Sequence, residues 1–356
     1  MGDVFDKVTR PAAIIIIEQG QSAHHMVEVA DLSAVSKAQK PAEIKSEFRF
    51  SRLDQAKIRE VPGSLFVTSN LGHYRVWRRV SSAPHKTLQE LVDEDGIQRG
   101  VSPDLKEAFL VECSEARRLG LEQHKLRKVL TGGKQVKRYH IARGDQVLIY
   151  TGRNDDFRAL PNIRAYIDQF KSRITCKEVR ERKHPLYALH RARDERIFLK
   201  ARKLLGVITE DEIVLAPDDQ QTFATDGLYL FAVRNTSETT FILGVLNSRL
   251  FVFIYRLLAL ESGRVLAQVK PTVLAQLPIR TIDPANRTDK FRHDQIAQLA
   301  EQMLTLHQSL ADARTPQEKT ALERQIAAAD TQIDRLVYEL YGLTGEEITL
   351  VEGATA

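Results

Sequence analysis

At 356 residues, with 43% hydrophobic and 28% charged side chains, the chain has the composition of a folded globular protein with room for two or more domains, which excludes a disordered, fibrous or disulfide-stapled one. Its formal charge of +5 hides an asymmetry: residues 117–203 hold 24 Lys+Arg against 9 Asp+Glu, and the remainder is net acidic. Such a basic block is the electrostatic footprint of a nucleic-acid partner or, on the plainer reading, a solvated basic surface. The two cysteines, Cys113 and Cys176, form no CxxC, so neither a disulfide framework nor a zinc site is suggested. With no signal-peptide pattern after Met1, a reducing cytoplasm is expected.

In chain order, AAIIIIEQ at 12–19 has the continuous β-branched pattern of a strand covered on both faces, and SLFVTS at 64–69 offers a second strand. Residues 1–90 thus read as an incomplete α/β piece. Trp77, in HYRVWRRV, packs on that piece or stacks on a base. The neighbours His24 and His25 point to opposite faces of any strand and have no spaced partner ligand, so no metal is expected there.

From Asp95 the texture becomes short elements separated by turns: DGIQRG, LTGGKQVKRY, RGDQVLIYT and NDDFRALP. QVLIYT at 146–151 reads as a strand. Pro161 then opens a helix with Ile163, Tyr166, Ile167 and Phe170 on one face, and Lys171 and Arg173 stand near its negative pole. EIVLA at 212–216 and LYLFAV at 228–233 are strands. FILGVLNSRLFVFIYRL at 241–257 falls short of a bilayer span and carries Asn247, Ser248 and Arg249 at its centre, so a buried core helix with a polar notch is expected and no membrane.

In the C-terminal part, Ile296, Leu299, Met303, Leu306 and Leu310 recur at steps of three and four, as do Leu322, Ile326, Ala329, Ile333, Leu336 and Leu340. Between the two runs, Thr315, Pro316 and Glu318 form a capping-box signature, and Gly342 is placed to end the second helix. The pattern predicts an antiparallel helical hairpin over 289–345 and a tail at 346–356.

Sequence signatures of catalysis are missing. TGGK at 131–134 lacks the spacing of a phosphate-binding loop, and HExxH, GxSxG and GxGxxG do not occur. CKEVRERK at 176–183 reads as basic helix or loop, without the converging carboxylates of a metal-dependent nuclease. No catalytic residue and no metal ligand is assigned.

LGVLNSRL, followed by VKPTVLAQLPI at 269–279, closely resembles the end of the TaqI-like C-terminal specificity domain of adenine-specific DNA methyltransferases and type IIG restriction-modification enzymes. DGIQRGVSPDLKEAFLVE at 95–112 is similar to that family's opening, and KLRKVLTGGKQVKRYHIARGDQVLIYT at 125–151 to its central segment, with Val136 where isoleucine is common. LPNIRAYIDQFKSRI and HPLYALHRARDERIFLKARKLL resemble the segments that follow, with Leu160 in place of a tyrosine and Leu186 in place of a tryptophan. IDRLVYELYGLTGEEITLVEG at 333–353 is also similar to these enzymes. Absent are the glycine-rich S-adenosylmethionine loop and the N-P-P-Y motif that holds a flipped adenine.

The resemblance implies a mixed α/β (α+β) chain: a methyltransferase remnant at 1–90, a DNA target-recognition domain at 91–288, the hairpin and the tail. It further implies sequence-specific recognition of double-stranded DNA in a restriction-modification system. A separate or missing methyltransferase/endonuclease part would bring S-adenosylmethionine and Mg; no cofactor is expected in this chain. Lys134, Lys137 and Arg138 around the glycine turn, and Arg180, Arg182 and Lys183 from a loop, are the expected contacts to phosphate or base edges. Asn247, Ser248 and Lys270 carry the family motif, with a structural role expected. The alternatives are a divergent methyltransferase or nuclease centre within residues 1–116, and an inactive scaffold for another subunit.

Overall fold

A computed structural model describes residues 25–29, 51–58 and 71–355, except 143, 210–211 and 260–267, together with Gln39 and Ala42. The strands expected at 12–19 and 64–69, and His24, lie outside these residues. β1 (Met26–Val29) and β2 (Ser51–Asp54) pair antiparallel. Helix α1 (Leu71–Ser82) buries Val76 and Val80, one turn apart, together with Trp77, which is 3% exposed and therefore committed to a core instead of a base.

Short strands follow: β3 (His85–Thr87), β4 (Gln98–Arg99), β5 (Leu110–Glu112), β6 (Leu126–Leu130), the ribbon β7 (Val136–Lys137) and β8 (His140–Ile141), and β9 (Gln146–Ile149). Helix α2 (Pro161–Asp168) starts on its proline and buries Ile163 and Ile167. Then come β10 (Lys203–Val207), β11 (Leu215–Asp218), β12 (Phe223–Ala224) and β13 (Leu228–Phe231). Two four-stranded sheets result, ordered β11-β10-β13-β4 and β12-β6-β9-β5. The fold is mixed α/β, as the first sheet shows best. On one of its faces Leu205, Val207, Leu228 and Leu230 share a core with Val129, Leu130, Leu148 and Ile149 of the second sheet. On the other, Leu204, Tyr229 and Phe231 join a core built by helices. Burial on both faces is why these strands are apolar without alternation.

β11 begins three residues later than the EIVLA pattern predicts. It lies at the sheet edge, where Pro217 withholds no needed ladder donor, so the strand extends through the proline to Asp218.

The expected helix at 241–257 is two helices, α3 (Thr239–Leu246) and α4 (Arg249–Ala259), bent by 75° at Asn247–Ser248. The cause is the polar notch. Asn247 is buried and grips the edge strand: Leu215 N–H donates to its Oδ1 and its Nδ2 donates to Leu215 O, both at 3.0 Å. Ser248 Oγ donates to Val245 O at 2.6 Å, and Asp334 accepts from Arg249 N–H at 2.8 Å in the first turn of α4. Among the described residues no single helix is long and apolar enough to cross a membrane.

β14 (Pro278–Arg280) pairs with β3. The helical hairpin follows as α5 (Arg287–Asp312) and α6 (Pro316–Tyr341), with the Thr315–Glu318 capping box formed and Gly342 ending α6 at φ 67°, a left-handed conformation that favours glycine. The hairpin shares the helical core with α1, α3 and α4. Residues read as a tail form a further helix, α7 (Gly345–Ala354), opened by a second capping box from Thr344 and Glu347. It is tied to α1 by Arg79 and Glu347 at 2.6 Å.

Candidate nucleic-acid interface

Much of the basic block is consumed internally. Lys203 is fully buried, its Nζ donating to Asp218 Oδ2 at 2.5 Å and to Phe198 O at 2.8 Å; burial lowers its pKa, against the pull of Asp218. Lys200 bridges Asp93 and Asp95 at 2.7 and 2.6 Å. Lys125 pairs with Asp155, and Arg127 with Glu195.

Arg138 belongs to this internal group, contrary to its expected place at DNA. It stands with Tyr139, at φ 62°, in the two-residue turn between β7 and β8. That turn is docked on the hairpin. Both terminal nitrogens of Arg138 donate to the two carboxylate oxygens of Asp330 on α6, a bidentate pair that is mostly sheltered from water. Tyr139 stacks on His307 of α5 with ring centroids 6.0 Å apart. Burial at this joint pushes His307 down to about 4, helped by the nearby charges of His140 and Arg138, and pushes Asp334 up to about 6.

Lys134 and Lys137, by contrast, are exposed and have no ion-pair partner among the described residues. Their turn is well held. Gln135 Oε1 accepts from Thr131 N–H at 2.6 Å and from its hydroxyl at 3.1 Å. Gly133 lies so close to β10 that a Cβ there would sit 2.5 Å from Val207 Cγ1, so the glycine turn is a packing requirement.

The second candidate group lies on the segment from Cys176 to His190. Asp104 accepts from the N–H groups of Thr175 and Cys176 at 2.9 and 2.8 Å, and Leu189 N–H donates to Thr151 O at 3.0 Å, which fixes both ends. Arg180 and Arg182 are exposed and have no ion-pair partner among the described residues, Arg182 at φ 57°, whereas Lys183 pairs with Glu181 at 2.6 Å. Because β6 and β9 run antiparallel, with Leu126 opposite Ile149, the Leu189 end of this segment is tied to the end of β9 that lies away from the Lys134 turn.

The structure also gathers Cys176, Glu178 and His190, whose ligating atoms all lie within 4.8 Å of one another. Sequence reading passed over this cluster by looking for cysteine pairs; the signal was C-x-E followed by H-x5-H. Of the motif residues, Asn247 and Ser248 are used up as described, and Lys270 donates its N–H to the Tyr255 hydroxyl at 2.7 Å. Leu160, in place of the family tyrosine, is buried in the core between the sheets.

Residues 128–279 match the family model of the TaqI-like C-terminal specificity domain. The match runs from within β6 to within β14 and contains both exposed basic groups. Among solved structures, the type IIL restriction-modification enzyme MmeI, determined in complex with DNA, is similar at 14% identity and a TM-score of 0.48, over 72% of this chain and 35% of that one. The type IIG restriction endonuclease BpuSI is similar at 10% identity and a TM-score of 0.39, over 85% of this chain and 38% of that one. The chain thus spans little more than a third of the length of these enzymes. No curated protein matches the sequence.

Proposed function

We propose that this chain is the sequence-specific double-stranded DNA recognition part of a restriction-modification system, acting with a catalytic part that supplies S-adenosylmethionine-dependent adenine methylation, endonuclease activity or both. The observation that carries this reading is the specificity-domain match over residues 128–279, within which Lys134, Lys137, Arg180 and Arg182 are exposed and have no ion-pair partner among the described residues. Exposed cations bind duplex phosphates by releasing condensed counterions, and each contact adds about 0.9 to the salt slope.

The test is selection from a randomised duplex pool at several salt concentrations, followed by sequencing of the bound DNA. Enrichment of one short motif is expected. Retention that is salt-sensitive but lacks a motif would move specificity to the joint surface with the catalytic part. Absence of retention would overturn the DNA reading in favour of a subunit scaffold. Replacing Lys134, Lys137, Arg180 and Arg182 together by alanine should weaken retention and flatten its salt dependence.

A further inference from the structure

Cys176, Glu178, His184 and His190 fall within one short segment, with a C-x-E spacing at its start and an H-x5-H spacing at its end. Cys176 Sγ is 3.3 Å from Glu178 Oε2, and His190 Nε2 bonds the same oxygen. Two ligands on a tetrahedral zinc ion stand about 3.5 Å apart, given bonds of roughly 2.0–2.3 Å, so this cluster has the span of one coordination sphere. The thiol is buried and the carboxylate is exposed, which leaves one side open for an ion to enter.

His184 packs against the cluster. It is 3% exposed, its ring is edge-on to that of His190 with centroids 5.6 Å apart, and its Nε2 lies 3.0 Å from Ala188 O. A carbonyl only accepts, so Nε2 carries the proton and Nδ1 presents a bare lone pair. That Nδ1 is buried without a hydrogen-bond partner. Buried polar atoms are nearly always satisfied. His184 Nδ1 stands outside the group within 4.8 Å that Cys176, Glu178 and His190 form, so His184 backs the site without ligating in this geometry.

We propose that Cys176, Glu178 and His190 bind one zinc ion, with the fourth position left to water. A thiolate and an imidazole select zinc over Mg or Ca, and the two anionic ligands neutralise its charge, so the ion adds no net repulsion beside Arg180 and Arg182. The ligands flank these arginines in sequence, and the ion would lock the conformation in which they are presented. That last consequence rests on the DNA reading; the metal site does not.

The experiment is titration of the untagged, chelator-treated full chain with zinc and with cobalt(II), read by bound stoichiometry and by the cobalt absorption spectrum. One tight equivalent is expected, with tetrahedral cobalt bands and a sulfur-to-cobalt charge-transfer band. Cys176→Ala should abolish that band, and His190→Ala should weaken binding at least about tenfold. Glu178→Gln, at an exposed position that spares the fold, should weaken it too, and Cys113→Ser should change nothing. Absence of stoichiometric binding, or binding indifferent to Cys176→Ala and Glu178→Gln, overturns the proposal. A chain that binds zinc but not DNA supports this inference and overturns the recognition reading; binding of DNA without zinc does the reverse.

Discussion

Two arginine-bearing turns with a positive-φ residue invite comparison. In the β7–β8 turn, Arg138 and Tyr139 are folded into the helical hairpin, the guanidinium held by Asp330 and the ring stacked on His307. In the 176–190 segment, Arg180 and Arg182 face solvent and have no ion-pair partner among the described residues. The difference teaches that positive charge does two separate jobs here. Part of the basic centre is neutralised by the acidic remainder, and so fastens the sheets to the helices. Only what is left over stands free to meet the polyanion that the proposed function requires, and sequence charge alone does not separate the two populations.

The largest expected effect lies at the internal extreme. Asp218→Ala strands the fully buried Lys203 ammonium and also removes the acceptor of Thr222 N–H and Oγ1, and should destabilise the fold by about 3–5 kcal/mol in chemical denaturation. Lys203→Met should cost less, about 1–2 kcal/mol, because Met fills the apolar site and Asp218 keeps its other donors. Equal losses from both would mean that the pair itself, and not the stranded cation, carries the stability.

Arg138→Ala comes next, at about 2 kcal/mol, since the pair with Asp330 is only partly exposed and its loss leaves a carboxylate facing the joint. Arg182→Ala should lie within about 0.5 kcal/mol of the parent. Their effects on DNA retention should rank the other way when measured on folded protein. If Arg138→Ala alone lost DNA binding while remaining folded, the division between internal and outward charge would fail.

What could be read in advance follows the range of the interactions. The hairpin was legible because its seam and the Thr315–Glu318 box are local, and α2 because Pro161 and its apolar face lie within a few residues. The break between α3 and α4 was not, because Asn247 is held by Leu215, 32 residues away. The α7 helix was missed although its signal, Thr344 to Glu347, has the form that marked α6. For the site, Lys134 and Lys137 could be placed on a glycine turn, but the fate of Arg138 depended on Asp330, 192 residues away, which no local pattern announces. The Cys176 cluster was within local reach and was lost to a search for paired cysteines.

The smallest effect is a matter of slope. Asp334, pushed up to about 6 by burial with Asp330, Arg138 and Arg249 nearby, binds its proton more tightly folded than unfolded, where a carboxyl titrates near 3.9. Its contribution to stability is therefore present below about 4 and is lost as pH rises through 6. His307, pushed down to about 4 beside His140, Arg138, Asp330 and Lys137, has the opposite sign. Its contribution is present above about 6.5, the unfolded value, and is lost as pH falls toward 4. Between pH 4 and 6.5 the two oppose each other. Asp334→Asn, which can still accept from Arg249 N–H, should leave the His307 dependence exposed, so that its melting temperature falls more steeply than the parent's as pH drops across this window. His307→Gln should tilt the curve the other way. Parallel curves for all three proteins would show that the joint does not shelter these groups as its geometry implies, and would weaken the case that the β7–β8 turn is an internal fastening.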